Sequence, residues 1–280
     1  MSYSVSLHSA MDKIAKIGLL AGKGEMPIIF ADCARKRGSK VVAFAAKGIA
    51  DTQLAGHVDK IYWLDFNEVG RLPLLFIINR IRNIVMLGKI PKSLFFKRDF
   101  SKSREISALL RNTKDRMDDS MHREAARRIE KFGVRFINPA DIMTDFIPKK
   151  GTYTRREPSP EEWEDIEFGR LMGKALGKLD VGQTVVVQNR AIISVEAIEG
   201  TDEAIKRAGK YSKGGLVVVK IIKPTQDPRF DIPTVGLDTI ESLIEAKASV
   251  LAIEAEKTFF INKEESIKKA DEHNISIVAI

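Results

Sequence analysis

Short apolar runs alternate along the chain with stretches whose apolar positions recur every three or four residues, and this alternation predicts most of the fold. Residues 17–21 read as a buried strand, a glycine turn follows at Gly22, Lys23 and Gly24, and a helical stretch ends at Gly38 before a second strand over 41–46. That succession is a βαβ unit. Strand-like runs at 61–64 and 84–87 alternate with helical patterns over 69–82 and 118–131, and Gly133 supplies a stop before an extended run at 134–137. Pro73 belongs in the first turn of its helix, because a proline deeper inside would cost about 3 kcal/mol.

Between 138 and 160 both periodicities fail, and Pro139, Pro148, Gly151, Pro158 and Pro160 punctuate a charged stretch that reads as a connection between domains. Beyond it come a helix over 161–179, two strands at 184–188 and 191–197 joined by the turn Asn189-Arg190, a helix from Thr201 and a strand over 216–222. A helix from Leu237, strands at 250–254 and 258–261, a helix over 263–272 and a strand over 275–280 follow. Strands alternating with helices imply a parallel sheet covered on both faces, whereas the hairpin makes the second half mixed. The predicted fold is therefore α/β, with a Rossmann-like parallel-sheet domain over 1–138, a linker over 139–160 and a mixed α/β domain over 161–280.

A chain of 280 residues, 44% of them hydrophobic, sits near the length at which one core divides into two, in keeping with that reading. Lys and Arg outnumber Asp and Glu by 46 to 38, a formal charge of +8, so the surface attracts anions such as phosphates, nucleic acid or acidic lipid headgroups. Only 7% of residues are aromatic, and none interleave with basic residues as a base-stacking platform requires, so nucleic acid is not an expected partner, and a basic nucleic-acid-binding protein stays only as an alternative reading. Cys33 is the only cysteine, which rules out an intrachain disulfide and a cysteine-rich zinc site and suits a reducing compartment. The first ten residues lack the pattern of a signal peptide, and the most apolar stretches, 72–78 and 84–87, are too short to span a bilayer, so a cytoplasmic location is expected. The four histidines stand at no metal-ligand spacing, and no HExxH, GxSxG or Walker sequence occurs.

Five segments carry candidate chemistry. A strand, the turn GLLAGKGEMP and a helix would put the amides of Gly22 and Gly24 beside an anion such as a phosphate; glycine serving only backbone geometry is the plain alternative. Pro27 stands where a dinucleotide fingerprint has its third glycine, and the second strand ends at Lys47 without an acid for a ribose, which disfavours NAD and leaves an NADP-dependent oxidoreductase as the rival enzyme. Gly88 and Lys89 follow the strand ending at Leu87, where open α/β sheets hold ligands. Asp115, Asp118 and Asp119 open a helix and have the spacing to share Mg²⁺, or simply to suit the helix dipole. Glu196, Glu199 and Asp202 surround a strand-to-helix junction at which Thr201 is expected as the N-cap. The segment KPTQDPRFDIPTVG, from Lys223 to Gly236, differs in kind: Lys223, Asp227, Arg229 and Asp231 lie in a proline-stiffened loop after an apolar strand.

These segments together resemble the LpxI family, the UDP-2,3-diacylglucosamine pyrophosphatases of lipid A synthesis in Gram-negative bacteria. Gly18 to Pro27 resembles its GLIAGxGxLP-like motif, Glu196 to Asp202 its EAxEGTD motif, and Lys223 to Gly236 its KPxQxxRxDxPTxG motif. A GDD-like stretch of the family stands here as Arg116-Met117-Asp118-Asp119, and a GNV-type turn as Leu87-Gly88-Lys89. The resemblance implies a first domain that binds the uridine nucleotide and a second that binds the acylated sugar phosphate. It also implies Mg²⁺ as cofactor and release of UMP and 2,3-diacylglucosamine 1-phosphate (lipid X) by attack at the sugar-side phosphorus. By the same matching Asp231 is the key acidic residue and Glu196, Glu199 and Asp202 are site carboxylates; the residues' own chemistry lets Asp231, Glu196, Glu199 and Asp202 hold the metal, or Asp231 act as general base, while Lys223 and Arg229 offset pyrophosphate charge. Gly22, Gly24, Gly88, Lys89, Thr234 and Gly236 become expected substrate contacts. Peripheral association with the inner membrane and assembly as a homodimer are compatible with this picture.

Overall fold

The computed structural model describes residues 14–90, 107, 118–224 and 226–280, with the backbone alone at 118–122. It divides into two compact units, the second of which comprises residues 143–280 together with the short stretch 118–120. In the first, β1 (Lys16–Ala21), β2 (Lys40–Ala46), β3 (Lys60–Leu64), β4 (Asn83–Leu87) and β5 (Arg135–Phe136) form one parallel sheet in the order β3-β2-β1-β4-β5. Ile17, Leu19, Val41, Ala43, Ile84 and Val85 are fully buried, as the strands of a sheet covered on both faces must be. Helix α1 (Met26–Lys36) starts with Pro27 in its first positions and ends with Arg35 and Lys36, both favoured by the helix dipole and its orphan groups.

The helix expected over 69–82 is shorter than its apolar pattern. Asp65 and Glu68 form a capping box that opens a 3₁₀ turn at Phe66–Arg71, and α2 (Leu72–Ile78) follows with Pro73 in its first turn as expected. Arg80, at φ 54°, turns the chain into β4. Helix α3 spans Asp118–Glu130; Asp118 and Asp119 open it, while their side chains and the whole of Asp115 lie outside the described residues.

Strand order reverses between β1 and β4, and there the two following loops touch. Lys23 and Lys89 exchange both backbone hydrogen bonds, each 2.9 Å, and the Gly22 N–H donates to the Leu87 carbonyl at 2.8 Å. Neither loop leaves room for a side chain: a Cβ on Gly22 would lie 2.8 Å from the Gly88 carbonyl carbon, and one on Gly88, at φ 86°, would lie 2.7 Å from that of Gly22.

In the second unit six strands form one sheet, β6 (Gly151–Thr152), β7 (Thr184–Gln188), β8 (Ala191–Val195), β9 (Leu216–Lys220), β11 (Ala248–Ile253) and β13 (Ser276–Ala279), in the order β6-β13-β11-β9-β7-β8. Strands β9, β11 and β13 are parallel, whereas β6, β7 and β8 run against their neighbours, so the sheet is mixed. Asn189 and Arg190 join β7 to β8 with φ 50° and 58°, the two left-handed residues that suit the twist of a tight hairpin. Helices α4 (Pro160–Lys178), α5 (Thr201–Gly209), α6 (Leu237–Glu245) and α7 (Lys263–Glu272) complete the unit. Ile166 of α4 packs with Val217, Val219 and Val250, and Ile205, Ile240 and Leu243 pack with Val186, Val218 and Leu251 in a separate core cluster. Helix α4 lies close to the sheet because Gly169 and Gly173 face it; a Cβ on Gly169 would meet Val219 at 2.6 Å.

Residues expected as linker form 3₁₀ turns at Pro139–Asp141 and Thr144–Phe146 and then β6, which pairs antiparallel with β13. A two-residue strand needs no sequence period, which is why the pattern is silent there. The run expected as a strand over 258–261 shortens to β12 (Phe259–Phe260) and pairs with β10 (Thr234–Val235) in a ribbon apart from the main sheet. Thr201 is not the cap of α5: Gly200 holds that position at φ 89°.

Replacing Gly88 by Ala forces backbone against backbone as well as a left-handed Cβ, and is expected to cost about 2–3 kcal/mol in urea unfolding. At the start of α4, burial pushes the Glu162 carboxyl up, but hydrogen bonds from Arg156 and the Ser159 N–H outweigh it and hold its pKa below the ordinary carboxylate value. A depressed folded-state pKa gives stability that is present above the unfolded value and lost as pH falls through the folded one. Glu162→Gln is therefore expected to be roughly 1 kcal/mol less stable than wild type at neutral pH, with the two curves converging in acid.

Candidate active site

The first unit brings Gly22, Gly24, Gly88 and Lys89 together at the point where its sheet changes direction, the position at which open α/β sheets take ligands. The Gly22 amide is already engaged by Leu87 and the Lys89 amide by Lys23, so those two N–H groups hold the loops to each other. Gly24, at φ 105°, has nothing near its Cβ position and stands just before the N-terminus of α1.

In the second unit the expected residues gather at one end of the sheet. Strands β9 and β11 finish there, the antiparallel β7 begins there, and β8 ends there, so Asp180, Thr184, Glu196, Lys220, Lys223 and Glu254 are all at or just beyond strand ends on that side. The loop from Lys223 to Gly236 leaves β9 and is fastened by charge. Lys223 pairs with Asp180, and the two side chains are only 5% and 7% exposed. Two full charges removed from water at this depth are tolerable only as a pair. The Lys223 N–H donates to Gln226 Oε1 at 2.9 Å, the Gln226 N–H donates to the Lys223 carbonyl at 3.0 Å, and the Gln226 amide group donates to the Asp231 carboxylate. Asp231 is thus half-buried and oriented by a buried neutral donor. Glu254 anchors the loop's first turn by accepting from the Ile222 N–H at 3.1 Å.

Arg229 is held locally: its guanidinium contacts Asp227 at 2.7 Å and lies over the Phe230 ring. Thr234 and Gly236 lie at the loop's far end, in β10 and at the N-terminus of α6, where a Cβ on Gly236 would lie 2.6 Å from Ile261. Around the EGTD segment, Glu196 accepts from the Thr201 hydroxyl at 3.1 Å, Glu199 pairs with Arg207 at 2.7 Å, and Asp202 sits in the first turn of α5.

Of the four carboxylates expected as Mg²⁺ ligands, Glu199 pairs with Arg207 and Asp231 accepts from Gln226, and among the described residues no three of His, Cys, Asp and Glu are grouped so as to hold a metal. Asp180 Oδ2, Gln183 Oε1 and Glu196 Oε2 are buried oxygens that accept no hydrogen bond.

Sequence reading missed Asp180, Lys220, Thr201 as a hydroxyl donor and Gln226. A signal existed for Lys220, a lysine closing the otherwise apolar strand LVVVK. None existed for Asp180, which reaches Lys223 across 43 positions.

Comparison with known proteins agrees with the motifs. The LpxI N-terminal domain matches residues 16–146, and the LpxI C-terminal domain matches residues 149–278. The UDP-2,3-diacylglucosamine pyrophosphatase LpxI of Caulobacter vibrioides is 25% identical over 282 aligned positions, covering 95% of this chain and 97% of that protein. The bifunctional purine biosynthesis protein PurH of Bacillus subtilis is 32% identical over 130 positions, which cover 45% of this chain and 22% of that protein. Among solved structures, the biotin carboxylase subunit of pyruvate carboxylase aligns with a TM-score of 0.26 and 12% identity over 72% of this chain and 41% of that one, too slight a likeness to carry an argument.

The buried pair makes a specific demand on stability. Lys223→Met leaves the Asp180 carboxylate buried without its cation and is expected to cost about 3–5 kcal/mol, as is Asp180→Leu for the converse reason. The double variant is expected to be more stable than either single one, a comparison that a urea-unfolding double-mutant cycle makes directly.

Proposed function

The chain belongs to the LpxI family, and from that premise we propose that it hydrolyses the pyrophosphate of UDP-2,3-diacylglucosamine in lipid A synthesis. The observation that carries this reading is the loop from Lys223 to Gly236. The most specific motif of the sequence is folded at the carboxyl end of a parallel strand, with its acid Asp231 oriented by Gln226 and its lysine buried on Asp180. Rigid support of a single carboxylate in a loop is what a hydrolytic site requires.

In the proposed reaction water attacks the sugar-side phosphorus, and the bond from that phosphorus to the bridging oxygen breaks. UMP leaves with the bridging oxygen, and 2,3-diacylglucosamine 1-phosphate carries the oxygen of water. Asp231 is assigned the water, accepting its proton as the new P–O bond forms. Gln226 keeps the carboxylate aimed, so the proton acceptor need not reorganise during attack. Arg229 is assigned charge on the departing phosphate, for which it would exchange its contact with Asp227. Lys223, whose ammonium is engaged by Asp180, is assigned to fixing the start of the loop.

Mg²⁺ is proposed as the cofactor on chemical grounds, since a phosphoric anhydride bears charge that a hard, oxygen-seeking cation offsets, and no step above is routed through it. The loops at Gly24 and Gly88 are assigned the uridine nucleotide, and the second unit, with Thr234 and Gly236, the acylated sugar phosphate. No described helix is long and apolar enough to cross a membrane, and peripheral contact of the basic surface with anionic lipid is the proposed route to an acylated substrate.

The test is UMP release from UDP-2,3-diacylglucosamine, followed with added Mg²⁺ and with a chelator. Asp231→Asn is expected to lower kcat by roughly 10²–10⁴-fold with little change in folding. A folded wild-type chain that releases no UMP at any Mg²⁺ concentration would overturn the reading.

A further inference from the structure

Lys220 closes β9 and is only 4% exposed, yet nothing in a parallel sheet requires a cation at that place. Its Nζ donates to the Thr201 hydroxyl at 3.0 Å and to the Thr234 carbonyl at 2.8 Å. Thr201 in turn donates to Glu196 at 3.1 Å and meets the Thr184 hydroxyl at 3.3 Å. A hydroxyl has one proton and two lone pairs, so donating to Glu196 while accepting from Lys220 and Thr184 uses all it has. Thr201 therefore does not cap its helix. It is the joint of a buried chain in which a cation and a carboxylate are linked through a neutral group.

The far end of that chain is the active-site loop. Thr234 follows Asp231 by three positions, and Pro233 between them fixes one backbone angle and accepts the Phe259 N–H at 2.8 Å, so the segment is stiff. Gln226 holds Asp231 from the N-terminal side of the loop, and Lys220 holds Thr234 from the C-terminal side. We infer that Lys220, acting through Thr201 and Thr234, is a positioning residue for hydrolysis, tying the loop that carries Asp231 to the turn that carries Glu196. The inference rests on the functional reading above and adds to it a residue outside all three sequence motifs.

A tie of this kind separates turnover from folding. Reading folding and turnover side by side separates a positioning role from a purely structural one, since a loosened loop lowers turnover in a chain that is still folded. The experiment compares wild type, Lys220→Met, Thr201→Val and Thr201→Ser in UMP release, thermal unfolding and hydrogen exchange over residues 227–236. Lys220→Met and Thr201→Val are expected to lower kcat by about 30-fold or more with KM within about 3-fold, and to speed exchange in the loop, since misplacement of a catalytic group by about an ångström costs on the order of 100-fold. Thr201→Ser keeps the hydroxyl and is expected to recover most of the loss. A folded Lys220→Met variant with kcat within about 3-fold of wild type, or loop exchange unchanged in it, would overturn the inference. Should Lys220→Met fail to fold, Thr201→Val, neutral and of the same size, decides by the same criteria. If the wild type itself releases no UMP, the functional reading fails, and loop exchange alone then tells whether the tie exists.

Discussion

A lysine ammonium taken out of water must meet an anion at the same depth, and in this chain Lys223 meets Asp180. The rest of the second unit's site is arranged around that requirement. Asp180 stands at φ 53° just past the C-cap of α4, the left-handed conformation with which helices commonly end. Helix α4 ends beside the loop, with Gly177 leaving room for Lys223 and Pro224 at about a methyl group's distance. The buried pair therefore sets where the helix stops, where the loop begins and how Gln226 presents its amide to Asp231. Such pairs add little to stability over an apolar core and can fix a local arrangement, which is what a loop proposed to carry the catalytic carboxylate needs.

The two units use the same geometry for different ends. Each carries its candidate groups where parallel strands finish, because strand ends leave loops that the sheet holds rigid and the sheet's faces do not cover. In the first unit rigidity comes from backbone alone, two glycine loops pressed together at a change of strand order. In the second it comes from side chains, a buried ion pair on one side and the Lys220-Thr201-Glu196 chain on the other. A backbone-built cradle suits an anion bound through N–H groups, whereas a side-chain frame suits a group that must exchange protons.

Much of this was legible in the residues. Local period was enough for the first sheet and for the long helices, since Val41 to Ala46 or Pro160 to Lys178 carry their burial pattern in their own sequence. The motif from Lys223 to Gly236 identified the loop because its prolines and charges are contiguous. What remained hidden was non-local. Strands of two residues, β6 and β10, have no period to read. The partner of Lys223 lies 43 positions away, and the hydroxyl of Thr201 looked like a helix cap until Gly200 was found in that place. Glu199, one of the expected site carboxylates, pairs with Arg207, a contact that helix geometry makes and a motif does not express.

Strand β6 bears on how the second unit behaves when separated from its neighbour. Its two residues, continued by the hydrogen bond from Tyr153 to Ile277 and that from Ile277 to Thr154, occupy the outer edge of β13. Without them, β13 would present Ser276–Ala279, a fully buried apolar segment, as an open template for strands of other molecules. A shortened chain that began at α4 would keep α4 to α7 and every residue of the loop, and would still be prone to aggregate through that edge, which makes residues 143–159 a solubility element rather than a tether.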